Sequence, residues 1–535
     1  MKRKSQSGPI KILSPFQITE SALGSIKKME GFTVDLLSPD KIGSITELID
    51  KYDALIVSDS MTIDEKIISA GKRLETICLV GTELDNIDLD YATSRGILVM
   101  NTPLANTVTT AEHTISMLMA LSRNIPQATA SMKVGKWEKK RFTGTEVLNK
   151  VLGVVGLGRI GRMVADRARG FGMRILVNDP LITEEIALRS GGELVDMDRL
   201  LSESDYITIH TPKMKRDKVL FTRELFSKMK PGVRIINLTG GGVLSEDDLL
   251  WAIDEGIVAG AALDVFETEP PDNKRLLENE KVILTPHLGG DTEEAYEKTS
   301  RSLSEQIIEY YRSGIVQNPV NFPALGQETL KTLKPFMDLG QKLGSFMGQI
   351  LTSEKIKRVE IGYLGKIEEY ETSLISLNIL RGLLSFITQE KINLINAPVM
   401  AREYGIEVEE DTSSSSRDYS SEITVSVSGE NWKRFISGAI VGNRPRIVRV
   451  DNYFIETIPE GIIILVVNDD NPGVVGSIGT SLGFAQVNIG RMQLARDIEK
   501  KKNLILISAD SPVEDTILDL LRKLPNVNEV RQIEL

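Results

Sequence analysis

Val151-Leu152-Gly153-Val154-Val155-Gly156-Leu157-Gly158-Arg159-Ile160-Gly161 is the stretch on which the reading of the fold turns. An apolar run too short for a buried helix meets a glycine-punctuated turn, and a new periodicity begins at once. Ile160, Met163, Val164, Ala168 and Phe171 recur at helical spacing and share one face. The segment is therefore expected to be a strand, a tight turn and an amphipathic helix. Gly156 permits the turn, Gly158 lets a ligand approach the backbone, and Gly161 lets the helix close on the strand. A second apolar run, Ile175–Val177, ends just before an acidic residue, Asp179.

Strand, glycine turn, helix and distal carboxylate form the context in which such a pattern holds a dinucleotide, with the pyrophosphate on the N–H groups of the helix start. Arg159 and Ile160 would flank that phosphate site, and Arg159 would add charge to it. Asp179 would accept hydrogen bonds from the adenosine ribose and repel a 2′-phosphate, so the expected cofactor is NAD rather than NADP.

The same rhythm extends outward in both directions. Further short apolar runs at Tyr206–Ile209, Arg234–Leu238, Val258–Leu263 and Val282–Leu284 alternate with helical patterns, which describes a doubly wound parallel sheet. Upstream, Ala54–Val57 and Thr76–Val80 belong to a second βαβ series, and a helix is expected over Thr110–Arg123, bridging two lobes. Downstream, Asn318-Pro319-Val320-Asn321-Phe322-Pro323 interrupts regular structure and marks a boundary. The polar tract from Glu409 through Ser416 reads as a solvated loop. From Gly461 onward, strand, turn at Asp470–Gly473, helix, two strands, helix and strand give a small βαββαβ domain.

A chain of 535 residues exceeds a single core, which stops growing near roughly 250–300 residues, so several domains are expected. A net charge of −11 gives no footprint for nucleic acid, and no apolar run approaches the roughly 18 residues of a membrane span. One cysteine, Cys78, and three histidines leave no basis for a disulfide or a structural metal site. A reducing, cytoplasmic setting is the expectation.

Several motifs then converge: Asn101-Thr102-Pro103, Ala111-Glu112-His113-Thr114, His210-Thr211-Pro212, Ala262-Leu263-Asp264-Val265-Phe266, Glu269-Pro270 and Thr285-Pro286-His287-Leu288-Gly289-Gly290. Together they resemble the D-2-hydroxyacid dehydrogenases. The segments Leu383–Ser385, Asn393–Val399 and Arg446–Val450 are similar to the intervening domain of the long-form D-3-phosphoglycerate dehydrogenases within that family. The resemblance implies a flavodoxin-like substrate domain (1–104 with 292–322), a Rossmann domain (105–291), an intervening domain (323–457) and a C-terminal ACT domain (458–535). It implies oxidation or reduction at C2 of a small 2-hydroxy or 2-oxo acid, in serine biosynthesis.

On that resemblance His287 matches the proton-exchanging histidine and Glu269 the carboxylate that orients it. Asp264 matches a contact to the nicotinamide carboxamide. His210, Thr211, Pro212, Gly289 and Gly290 line the cofactor, while Asn106, Lys139, Lys140 and Arg141 are substrate candidates. His113 is read as a packing residue. In the last domain, Asn468, Asp470, Pro472, Gly473 and Asn488 match an amino-acid effector site, with L-serine the leading candidate and a homodimer or homotetramer implied. The chain also departs from the family: Gly240 stands where an arginine grips the substrate carboxylate, Ser58 and Leu79 stand where arginines are usual, and Glu83 replaces a glycine. Two readings stay open, a weak or redirected dehydrogenase and an NAD-holding regulatory homologue.

Overall fold

The computed structural model describes residues 8–535 except 59–60, 82–83, 85, 104–105, 212–218, 239, 352–354, 417 and 498. The chain divides into two compact units, one of Met1–Gln17, Ile26–Asn101 and Gln306–Leu535, the other of Ile18–Ser25 and Thr102–Glu305.

The second unit is built on a seven-stranded sheet in the order Val282–Leu284, Val258–Leu263, Val233–Asn237, Tyr206–Ile209, Val151–Val155, Arg174–Asn178, Glu193–Leu194. Every pairing is parallel. Two clusters cover its faces, one around Ile207, Ile235, Phe221, Phe226 and Leu249, the other around Leu152, Val154, Val164, Ala168 and Ile236. Burial on both faces is why these strands read as continuous apolar runs rather than alternating ones. The order reverses beside Val151–Val155, at whose carboxyl end such sheets bind ligands. The helix expected from Thr110 starts earlier, at Thr107, and Ala111, Met117, Leu118 and Leu121 turn into the second cluster.

The first unit carries three sheets. A parallel five-stranded sheet runs in the order Phe32–Leu36, Ile10–Ser14, Ala54–Val57, Thr76–Leu79, Leu98–Asn101, which is the flavodoxin-like order expected. Cys78 is fully buried in it, and burial pushes its thiol up to about 12, so it is an inert core residue. The boundary segment after residue 317 lies along the last of these strands: Met100 and Pro319 form an antiparallel bridge, and the Val320 N–H donates to the Val99 carbonyl (2.8 Å).

The helices Gln327–Ile350 and Ser373–Leu384 pack on a six-stranded sheet that ends at Tyr453–Thr457. The polar tract corrects the expectation made from composition. Glu407–Ser413 is an edge strand, paired in parallel with Arg358–Gly365. Most of its side chains face solvent, so it needs no apolar alternation and its composition imitates a loop. The last sheet is antiparallel in the order Ile489–Asp497, Lys502–Ala509, Ile462–Asp469, Val527–Glu534, with helices Val474–Phe484 and Asp515–Arg522 completing βαββαβ. One face packs on those helices, while Ile463, Leu465, Leu504, Leu506 and Ile533 on the other merge with the core of the preceding domain. No helix among the described residues is long and apolar enough to cross a membrane.

Candidate active site

The glycine loop has the expected shape. Gly156 has φ +91°, in the left-handed region, and a Cβ there would lie 2.7 Å from the His210 carbonyl oxygen. A Cβ at Gly161 would lie 2.2 Å from the Gly156 oxygen, so the close helix–strand approach admits only glycine. At Gly158, the N-cap of helix Arg159–Gly170, a Cβ would meet nothing within 4 Å. The helix start therefore opens on space with no side chain to satisfy its first N–H groups, a cradle suited to the cofactor's pyrophosphate. Arg159 is exposed beside it and Ile160 half-buried.

Asp179 stands at the end of the neighbouring strand and closes onto the loop, accepting from the Leu157 N–H (2.8 Å, Oδ2) and the Leu181 N–H (2.9 Å, Oδ1). Each oxygen keeps a lone pair for a further donor such as a ribose hydroxyl. His210 lies where its strand passes behind Gly156. Burial drives its imidazole down to about 3, so it is neutral, with Nε2 bonded to Thr208 Oγ1 (2.9 Å) and Nδ1 enclosed without a partner. Thr211 follows it half-buried, and Pro212, like Glu83, lies outside the described residues.

Two segments from the opposite half of this sheet bring His287 and Glu269 together, although 18 residues separate them. His287 Nδ1 lies 2.8 Å from Glu269 Oε2, and the second carboxylate oxygen accepts the Phe266 N–H (3.2 Å). Both side chains are about one-third exposed, so the pair faces solvent from a fixed base. His287 has φ +53°, a conformation that a non-glycine residue adopts only where its surroundings hold it.

Asp264 is what holds it. Its side chain is fully buried and accepts from Thr285 Oγ1 (2.5 Å), the Leu288 N–H (2.8 Å) and the Gly289 N–H (2.7 Å), while its carbonyl accepts from the His287 N–H (3.0 Å). Burial alone would raise its pKa. Hydrogen bonds from His113, Thr285 and the two amides more than offset this and hold it below the usual carboxylate range. The contacts of Asp264 are thus with the turn that bears His287, a role the motif did not reveal. His113, read from sequence as packing, reaches the same clasp with Nε2 3.4 Å from Asp264 Oδ1 and 3.3 Å from Thr285 Oγ1. Thr110 Oγ1 donates to the Gly289 carbonyl (3.0 Å), and the Asn106 amide lies so close to Gly290 that a Cβ there would be 2.5 Å from it.

A second clasp was invisible in the sequence. Glu246 and Glu267, 21 residues apart, bond reciprocally: each backbone N–H donates to the other's side-chain Oε1 at 2.9 Å. This ties the start of the helix after the Gly240 loop to the segment leading to Glu269. Gly240 is held through its carbonyl, which accepts from Asn237 Nδ2 (3.1 Å). The basic substrate candidates stand apart: Lys139 and Lys140 are exposed, and Arg141 is held by Glu280 (2.6 Å) and Glu138 (3.2 Å).

In the C-terminal domain, Asn468 is buried and Gly473 has φ +90° after Pro472. Asp470 is ion-paired with Arg496 and accepts from Asn503 Nδ2 (3.1 Å), and Asn488 Nδ2 donates to Asp510. Asp470 and Asn488, expected to meet an effector, are thus engaged within the domain, whereas Asn468 donates to the Asp469 carbonyl (2.7 Å) and keeps its Oδ1 enclosed without a partner.

Residues 115–289 match the D-isomer specific 2-hydroxyacid dehydrogenase NAD-binding domain, and residues 332–451 match the D-3-phosphoglycerate dehydrogenase intervening domain. The D-3-phosphoglycerate dehydrogenase of Synechocystis is 38% identical over 98% of this chain and 95% of its own, and that of Methanocaldococcus jannaschii is 39% identical over 92% and 94%. Among solved structures, a glyoxylate reductase from Paecilomyes thermophila aligns with TM-score 0.53 and 28% identity over 58% of this chain and 98% of its own. With the NAD-binding and intervening domains matched and the likeness running nearly end to end, the chain belongs to the D-3-phosphoglycerate dehydrogenase family of NAD-dependent 2-hydroxyacid dehydrogenases.

Proposed function

We propose that this chain oxidises or reduces C2 of a small 2-hydroxy or 2-oxo acid with His287 as proton-exchanging group, and that Gly240 makes it slow on 3-phosphohydroxypyruvate. The 2.8 Å contact between His287 Nδ1 and Glu269 Oε2 carries the reading. It directs Nε2 outward as the exchangeable site and favours the charged imidazolium when a proton is taken up. Bound NAD supplies or accepts the hydride. Asp264 and His113 position the turn, the loop from Gly156 to Gly161 takes the pyrophosphate, and Asp179 selects NAD over NADP.

The missing arginine supports slow turnover. A guanidinium would grip the substrate carboxylate in two parallel charge-assisted hydrogen bonds and align C2, and glycine offers neither. Gly240 also favours a second reading, a homologue that holds NAD, senses an amino acid through its C-terminal domain and turns over little. NADH oxidation across a panel of 2-oxo acids that includes 3-phosphohydroxypyruvate, with calorimetry of NADH binding, decides between them. Ordinary turnover of another 2-oxo acid supports a redirected enzyme, and binding without turnover of any supports the regulatory homologue.

A further inference from the structure

Within the first unit, a cavity of about 570 Å³ lies where the boundary segment, the helices of the intervening domain and its edge strand meet. That volume falls in the range of small-molecule sites, about 300–1,000 Å³. Its walls are apolar: Phe322 from the boundary segment, Leu377 and Leu380 from one helix, Leu394 and Pro398 from the next, and Val408 from the strand.

Three of its polar groups are bonded within the protein: Asn321 to the Val99 and Ile97 backbone, Ser376 to the Tyr363 hydroxyl and Glu407 to Arg358. Arg402 and Glu410 both line the cavity, and among the described residues neither side chain has a hydrogen bond or ion pair. Strand alternation accounts for the difference between Glu410 and its neighbours. Glu407 and Glu409 share the face on which Arg358 meets them at 2.9 and 3.6 Å, while Val408 and Glu410 belong to the other face. The Ser373 hydroxyl, also on the lining, is enclosed without a partner. An apolar chamber with one free cation, one free anion and one unsatisfied hydroxyl has the complement of a zwitterion with an apolar tail.

We propose that this cavity binds an apolar α-amino acid: its carboxylate meets Arg402, its ammonium meets Glu410, and its side chain fills the space between Leu377, Leu394 and Phe322. The site is separate from the C-terminal βαββαβ domain and does not depend on the dehydrogenase reading. It abuts the boundary segment at Phe322. The preceding residue, Asn321, accepts from the Val99 N–H (2.9 Å) and donates to the Ile97 carbonyl (2.8 Å) in the substrate-domain sheet. Occupancy therefore braces the connection between the two domains.

The test titrates L-leucine, isovalerate, isoamylamine and L-serine into the full-length protein by calorimetry and thermal unfolding. L-leucine is expected to bind saturably and raise the unfolding midpoint. Isovalerate and isoamylamine, each lacking one charge, and L-serine, lacking the apolar tail, are expected to bind at least about tenfold more weakly. Arg402→Gln and Glu410→Gln, both at exposed and unpaired positions, are expected to fold normally and weaken L-leucine by a similar factor. Absence of saturable binding up to about 10 mM overturns the proposal. So does binding unchanged in both variants, or binding lost in Asn488→Ala, which would place it in the C-terminal domain.

Discussion

Replacing Gly240 with arginine tests the reading of the active site most directly, because the structure separates that position from its neighbours. The Gly240 backbone lies outside the left-handed region, and among the described residues an added Cβ would meet only Val243 Cγ2, at 3.1 Å. A side chain is therefore admitted with a shift of a few tenths of an ångström. The strain is comparable to the roughly 0.4–1 kcal/mol by which losing a glycine restricts the unfolded chain, so stability should change little. Gly241 is the contrast: a Cβ there would lie 2.0 Å from the Phe266 carbonyl oxygen. Gly241→Ala must displace the segment carrying Glu269 and is expected to destabilise by more than about 2 kcal/mol. A restored charged hydrogen bond contributes about 1.5–3 kcal/mol, equivalent to roughly 10- to 150-fold in kcat/KM. Ser58 and Leu79 supply no arginine, and ordering a long arginine side chain costs entropy, so a gain near tenfold is expected. Steady-state NADH oxidation with 3-phosphohydroxypyruvate measures it. Wild-type turnover already in the ordinary range of about 1–10³ s⁻¹, or a folded, NADH-binding Gly240→Arg protein with no gain, would refute the reasoning.

Glu269→Gln should leave NADH affinity intact while kcat falls on the order of 10²–10⁴, because an amide orients His287 in the wrong tautomer or not at all. Asp264→Asn withdraws one acceptor from the turn, and kcat should fall about a hundredfold without loss of NADH binding; an unchanged kcat would remove the clasp from the account. His210 predicts acid lability. Its unfolded form takes up a proton near 6.5, whereas the buried imidazole refuses one until about 3. The stability associated with a neutral His210 is thus fully present above pH 6.5. It is lost as pH falls towards 3, at about 1.4 kcal/mol per pH unit and roughly 5 kcal/mol at most. Urea midpoints of wild type and His210→Gln should converge on acidification, and a difference independent of pH counts against it.

Local sequence determined the elements whose physics is local. The glycines at 156 and 161 are demanded by a left-handed turn and a backbone contact a few residues away, so their spacing alone located the tight turn between strand and helix. Doubly buried strands announced themselves as apolar runs, and the βαββαβ order of the last domain followed from its turns. The edge strand Glu407–Ser413 escaped because its partner, not its composition, makes it a strand. His287, at a strand end before two glycines, stood out in the sequence, but its pairing with Glu269 was legible only as a resemblance, since nothing within either segment records the other. Tertiary structure alone decided how they are held: Asp264 spends its buried carboxylate on the turn, His113 reaches it from a helix, and Glu246 and Glu267 lock two segments, each carboxylate accepting the other's backbone N–H. These bonds join groups distant in the chain, and neither a backbone N–H, which every residue carries, nor a lone carboxylate in its own segment records where its partner lies.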